Sequence, residues 1–510
     1  MPFKPLSNRE KKEKDSFLLN SHKTKRSQSA LEYMMTYGWA ILIIVIVAVI
    51  LYSMGIFNPS SSVTFTSSGF SPFTVSSSLC NNIGYKIAVL AGPIPNNANS
   101  LTINKVYLTS ATGANTTTAS YTLTNPVTLK SGQSATILIP NVACNSANTH
   151  YSLSAKIQYS YDVPTIGTQT INTTGTVAGT SITGKPSTLT SYEPITITNT
   201  QSSATPSPFQ QMVNFTSSDP GWTSISTSNF GQNVEFFYYN GTVIPSWLEN
   251  YTSSHALWWL KIAAIPAGSS ETVYVGFAPT TTNLFNTVND GEAPQIPCGS
   301  TPTSSCSNYA EYDDGANVFN NYWNFAGTTP SYSTFGNWYG SQNNELSISA
   351  SSDFGGVYYS ISSVTAIIAE AHLSIPSTSA QIAIILSSSN SGTSSTLMYP
   401  SYDFGYASWD GQTGQIDYTP NSITVDRTNP SSALPTPTNT FVVMGFAVTA
   451  SSQNAQINYN SYISTTYTGV SPFTYLMIGS WDNSGTVQWL RTRAYPPNGV
   501  MPSVSFGSVA

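Results

Sequence analysis

The run HALWWLKIAAIPAGSSETVYVGFAP, residues 255–279, decides the fold. Aromatic and β-branched residues dominate its two halves, and Pro266-Ala267-Gly268 breaks it in the middle. That composition fits pleated, half-buried strands, with the Pro-Ala-Gly step as their connection. Just upstream, VEFFYYNGTVIPSW (234–247) carries Asn240-Gly241, the dipeptide of a two-residue hairpin turn.

The same alternation extends in both directions. YKIAVLAG, LTINKVYLT, ATILIP, YSLSAKIQYSY and TQTINTTGTVAG read as strands of a β-sandwich over 60–182. Residues 183–207, rich in Ser, Thr and Pro, read as a linker. Further strands are expected at 366–375, 381–389, 440–450 and 474–481. No helical period appears after Phe57, so the expected fold is mainly β: one N-terminal transmembrane helix, then β-sandwich domains. The expected divisions are a basic leader (1–27), a helix (28–58), a sandwich (60–182), the linker, a small β-domain (208–295) and a last sandwich (310–510).

Only 8% of the 510 residues are charged, while aromatics make up 12%. Low charge with many large apolar groups does not describe a disordered chain. Eight of the seventeen bases lie in residues 1–26; from residue 27 on, nine bases face twenty acids. Such an acidic surface has no basic groove, and nucleic acid is excluded as a partner. The four cysteines fall into two pairs, Cys80 with Cys144 and Cys298 with Cys306. Without CxxC spacing or nearby histidines they read as disulfides of an oxidising compartment rather than as a zinc site.

Residues 38–57 are twenty uncharged, mostly apolar residues, which as a helix span about 30 Å, the thickness of a bilayer core. The basic cluster before them keeps that side cytoplasmic. The expected location is therefore the cell membrane, crossed once, with the C-terminal bulk outside. Gln28-Ser-Ala-Leu-Glu32 follows Lys25-Arg26-Ser27 directly, ahead of the apolar stretch. This resembles the archaeal class III signal peptide of type IV pilin-like proteins. The resemblance implies cleavage between Ser27 and Gln28 by a prepilin-type signal peptidase. Glu32 would then pair, inside the membrane, with the new α-amino group of another pilin-like subunit. Ser27 departs from the glycine or alanine usual at that position, and the leader is unusually long.

Two further resemblances cover the exterior. The series from the Asn240-Gly241 turn through TVYVGF resembles an uncharacterised β-domain of secreted prokaryotic proteins. That domain usually precedes a concanavalin A-like jelly roll of the lectin and glucanase type. The ending VQWLRTRAYPPNGVMPSVSFGS resembles the closing strands of such lectin-like sandwiches.

Catalytic patterns are sparse. Glycoside hydrolysis needs two carboxylates flanking the bond, and glucanases of this fold carry them in a Glu-x-Asp-x-(x)-Glu run that is absent here. From residue 310 on the glutamates are Glu311, Glu345 and Glu370. Glu370 and His372 share one side of a strand, ordinarily an exposed face. No GxSxG or glycine-rich phosphate loop occurs, so no enzymatic activity is expected. Glu311, Asp313, Asp314 and Asn317 offer oxygen donors of the kind calcium takes, or form a structural turn. Trp338-Tyr339 and Trp409-Asp410, flanked by Gly and Asn, are candidate sugar contacts, since aromatic faces stack on pyranose rings. Asn115, Asn172, Asn214, Asn240 and Asn250 stand in Asn-X-Ser/Thr triplets.

The sequence thus points to a cell-surface pilin-like subunit displaying a large β-rich head for adhesion or glycan binding. The head's size suits a minor or tip subunit. The alternatives are a single-pass surface protein that never polymerises and a membrane-tethered glycan hydrolase.

Overall fold

The computed structural model describes residues 37–47 and 65–510, apart from short internal stretches; the longest are 299–305, 392–398, 407–413, 421–425 and 430–437. Two compact units, Met1–Thr183 and Gly184–Ala510, make up the chain.

In the first unit, residues 37–47 form a helix exposed along its whole length, with Trp39, Ile41, Ile43 and Ile44 among its apolar side chains. Among the described residues, no helix is long and apolar enough to cross a membrane. The rest of the expected membrane segment, with Ser27, Gln28 and Glu32, lies outside the described residues. Between Thr66 and Thr180 the unit holds a five-stranded and a three-stranded sheet. A five-stranded sheet holds the long hairpin His150–Val163 and Gly167–Thr180 together with Thr66–Gly69, Leu101–Thr112 and Ser120–Leu129. A three-stranded sheet of Phe73–Cys80, Tyr85–Ala91 and Ser134–Ile139 completes it. Alternation does the work: in Tyr85–Ala91 every second residue is buried (Tyr85, Ile87, Val89, Ala91). Cys80 and Cys144 are bonded, tying the end of one strand to the loop after the short pair Val142–Ala143.

The second unit holds two sandwiches. The smaller has one sheet ordered Val234–Phe237, Ser269–Phe277, Ser191–Asn199, Ser503–Phe506 and another ordered Phe209–Thr216, His255–Ile262, Ser246–Tyr251, Asp290–Glu292. Its core includes Ile195, Ile197, Val273 and Val275 with Val213, Phe215, Trp258 and Leu260. Three expectations are corrected here. The linker 183–207 contains the strand Ser191–Asn199, because Ile195 and Ile197 alternate with threonines and give it one buried face. The closing segment Ser503–Phe506 joins the small sandwich rather than the jelly roll. It pairs along Ser191–Asn199, where Ile195 opposes Phe506, and Phe506 packs 4.4 Å from Phe215. Finally, Asn240-Gly241 does not form a two-residue turn. Tyr238 N–H donates to Thr242 O and Phe237 bridges Val243, so the loop is Tyr239-Asn240-Gly241, with Gly241 at φ 79°.

The larger sandwich is a jelly roll of an eight-stranded and a seven-stranded sheet. The strands Ala366–Ser374, Gln381–Ser391, Val442–Thr449 and Phe473–Trp481 match the segments read from sequence. The inner faces supply Ala369, Ala371, Leu373, Met444 and Phe446 from one sheet and Ile382, Ile384, Leu386, Leu476 and Ile478 from the other. The opposite face of the eight-stranded sheet is not left to solvent. It carries Val443, His372, Trp489, Arg491 and Glu370, and it packs on the outward face of the small sandwich through Trp247, Trp259 and Phe319. Glu370 and His372 therefore do not lie on an exposed strand face: Glu370 is fully buried and His372 half-buried. The second disulfide, Cys298–Cys306, closes a short loop in this unit.

Candidate binding cleft at the seam of two sandwiches

Arg491 organises the seam. It stands on the strand Gly485–Arg493, directly across from Glu370 on Ala366–Ser374. Its Nε donates to Glu370 Oε2 at 2.8 Å and its Nη2 to Glu249 Oε2 at 2.8 Å, while Arg493 Nε donates to Glu370 Oε1 at 2.8 Å. The rings of Phe319, Trp489, Trp259 and Trp247 surround the guanidinium at 4.3–5.2 Å. Glu249 Oε2 also accepts from Trp259 Nε1 at 2.7 Å and from the Tyr459 hydroxyl. Two carboxylates thus meet two guanidiniums, and the buried charges balance. Burial alone would raise the Glu370 carboxyl, but Arg493 and Arg491 hold it below the usual range.

Beside this network a cleft of about 500 Å³ opens between the sandwiches, a size within the ~300–1,000 Å³ of ordinary ligand sites. Its small-sandwich wall is Met212, Asn214, Glu249, Asn250, His255, Leu257 and Gln295. Its jelly-roll wall is His372, Phe441, Val443, Asn458 and Tyr459. Local irregularities place the key groups. A register shift between Leu248 and Asn250 re-aims the end of Ser246–Tyr251. Asn458 and Tyr459, at φ 47° and 68°, make the tight turn that carries the Tyr459 hydroxyl to Glu249. The His372 ring stacks on Trp489 at 5.3 Å and lies 5.2 Å from Phe441. Loss of solvent pushes its imidazole down to about 4; the Gln488 hydrogen bond opposes this and the Arg491 charge adds to it. The lining contains no Lys or Arg. Four carboxamides, with the imidazoles of His255 and His372, the Glu249 carboxyl and the rings of Phe441 and Tyr459, suit a hydroxyl-rich ligand, because amides both donate and accept as hydroxyls do.

The residues singled out from sequence lie elsewhere. Tyr339, Trp409 and Asp410 are outside the described residues. Trp338 ends the strand Ser333–Trp338, edge-on to Tyr332 at 5.4 Å and partly buried against the jelly-roll core, where it packs instead of forming a loop contact. Asp313 accepts from Trp247 Nε1 and Tyr322 Oη at 2.8 Å, Asn324 Nδ2 at 2.5 Å and Gly315 N at 3.1 Å. Four donors occupy its carboxylate in holding the seam. Asp314 is buried, and Asn317 Nδ2 donates to Thr287 O. Among the described residues, no three His, Cys, Asp or Glu side chains are placed to hold a metal ion.

A second polar group lies on the outward face of the seven-stranded sheet. Asp403 and Asp417 are cross-strand partners, both buried, with Ser401 and Thr419 opposed two residues along. Arg427 Nε lies 3.4 Å from Asp417 Oδ2, which also accepts from Gln415 Nε2 at 2.9 Å. Burial, and then the Asp417 charge, push the Asp403 carboxyl well up, with Arg427 opposing.

Sequence reasoning missed Glu249, Arg491 and Tyr459. The signal present was the acidic residue in Trp247-Leu-Glu249-Asn, a charge inside an apolar strand.

No known family model matches the chain. Over 148 residues it is 34% identical to Uncharacterized protein 562 of Sulfolobus islandicus rod-shaped virus 1, a stretch that is 28% of this chain and 23% of that protein. The chain thus spans less than a quarter of that relative's length. Among solved structures it is similar to the endo-beta-1,3-glucanase from Pyrococcus furiosus, with 13% identity, 38% of this chain and 95% of that one covered, and a TM-score of 0.27. It is also similar to the laminarinase catalytic domain from Thermotoga maritima, with 10% identity, 34% and 97% covered, and a TM-score of 0.27. A carbohydrate binding module from Bacillus subtilis matches at 10% identity, 34% and 97% covered, and a TM-score of 0.24.

Proposed function

We propose that this chain is a membrane-anchored surface protein of pilin-like N-terminal type whose β-rich head binds a glycan in the cleft between the two sandwiches. One observation carries the binding reading: about 500 Å³ lined by Asn214, Asn250, Gln295, Asn458, His255 and Phe441, with no Lys or Arg. Direct support for the anchor is the uncharged run 38–57 behind a basic leader. A glycan array probed with the full-length chain in detergent tests the head. Binding weakened at least tenfold by both Asn214→Ala and Phe441→Ala, at unchanged melting temperature, supports the cleft; binding indifferent to both sinks it. An intact mass starting at Gln28 supports the pilin-type leader, and a mature chain starting earlier refutes it. Incorporation into filaments should be lost in Glu32→Ala, and its persistence would favour the monomeric anchored protein.

A membrane-tethered glycan hydrolase is the second reading, favoured by the Asp403–Asp417 pair. Two facing carboxyls, one held protonated and the other beside Arg427, are the acid and base that glycoside cleavage needs. Release of reducing sugar that is abolished by Asp403→Asn would establish it.

A further inference from the structure

We infer that the cleft sets two open hydrogen-bond acceptors, His372 Nε2 and Glu249 Oε1, in a lining without Lys or Arg, and so selects an uncharged sugar through two donating hydroxyls while turning away uronic acids. This rests on the cleft being the glycan site.

The direction of the His372 hydrogen bond follows from a relay. The Glu345 carboxylate can only accept, so the Gln488 side chain turns its amide nitrogen to it, with Nε2 2.9 Å from Glu345 Oε1. That leaves Gln488 Oε1 facing His372 Nδ1 at 2.8 Å. An amide oxygen accepts, so Nδ1 carries the proton and donates. In the neutral ring Nε2 is then bare, an acceptor on a residue that lines the cleft. Gln488 is positioned for this by a register shift between the pairs His372–Trp489 and Leu373–Val487. The stack on Trp489 and the contact with Phe441 hold the ring plane.

Glu249 is arranged to the same effect. Its Oε2 accepts from Trp259, Tyr459 and Arg491. Oε1 has only a long contact, 3.4 Å from Asn250 Nδ2, so its lone pairs remain for a ligand. Arg491 is held away from an anion in the cleft, because Glu370, Glu249 and Tyr459 fix its Nε and Nη2 and aromatic rings enclose its guanidinium. An anionic sugar would meet these two acceptors in a lining that holds no Lys or Arg. A neutral sugar meets these acceptors together with the carboxamides of Asn214, Asn250 and Gln295 in the same lining.

The test uses the full-length chain in detergent from a host without N-glycosylation, since Asn214 and Asn250 stand in acceptor triplets at the cleft. The probes are methyl glucoside, galactoside and mannoside beside glucuronate and galacturonate, followed by saturation-transfer NMR and titration. The expected result is binding of a neutral glycoside and at least tenfold weaker binding of the uronates. His372→Phe keeps the ring stack but removes the acceptor, and should weaken the neutral sugar about tenfold. Glu345→Gln, outside the cleft lining, frees Gln488 to reverse and should weaken binding less, while His372→Gln, which restores an acceptor, recovers part of it. Equal binding of uronates, or full binding by a folded His372→Phe chain, overturns the acceptor pair and leaves the glycan site standing. Binding of no sugar at all overturns both.

Discussion

Arg491 Nη2 sits 2.8 Å from Glu249 Oε2, and through this contact a jelly-roll strand grips a strand of the small sandwich. Both side chains are almost wholly buried. Burying such a pair is costly, and Glu370, Tyr459 and Trp259 offset part of the cost with further hydrogen bonds to it.

Removing Arg491 alone should be far worse than removing the whole network. Arg491→Ala strands Glu249 and leaves Glu370 with Arg493 only, at an expected cost of about 3–5 kcal/mol. Denaturant melts of the full-length chain measure this. A loss below about 1 kcal/mol would mean the seam does not depend on the ion pair.

Stability should fall as pH rises from acid to mildly alkaline. Burial pushes up Asp290 and Glu292 to about 8, Asp314 to about 9 and Glu193 to about 7, each helped by neighbouring acids. These carboxyls hold protons more tightly folded than unfolded, where carboxyls titrate near 4. Their stabilisation is complete below pH ~4 and is lost as pH rises through 7–9. Glu370 acts oppositely, weakening the fold as pH falls below the usual carboxylate range. Melting temperatures from pH 4 to 9 should decline, and Asp314→Asn should flatten the decline. A curve rising toward pH 9 would contradict the buried-acid account.

Sugar binding should disappear as pH drops through about 4, where His372 protonates and its Nε2 becomes a donor. Arg491 and the aromatic pair Phe441 and Trp489 face the ring, with Glu345 behind Gln488. His372→Gln should remove much of this acid limb. A titration indifferent to that substitution would assign the limb to another group.

Reducing the disulfides should hurt the two units unequally. Cys80–Cys144 closes 64 residues and Cys298–Cys306 closes 8. Loop-closure entropy puts these at about 4 and about 2.5 kcal/mol. Separate Cys→Ser pairs, followed by melts, should rank them in that order.

The strands were legible wherever one face is buried and one is not. Tyr85–Ala91 shows this, and Ala366–Ser374 was readable from its apolar run and flanking turn residues. Ser191–Asn199 was hidden because its outward threonines share the composition of a linker, and only Ile195 and Ile197 betray the strand. Ser503–Phe506 was assigned to the wrong sandwich, since nothing local says which open sheet edge a terminal strand will meet. The cleft was illegible for a similar reason. Its walls come from positions as distant as Asn214 and Tyr459, and Glu370 with His372 looks like a solvated face until a second sandwich covers it.

By itself the sequence determined that the head is β-rich, that an apolar run follows a basic leader, and how the four cysteines pair. Alternation, charge and spacing are local quantities, and they survive reading along the chain. Tertiary structure alone decided that two sandwiches stack outward face to outward face, with Arg491 bonded to Glu249 across the seam. Packing between faces depends on shape and buried charge matched across hundreds of residues, which no local pattern encodes.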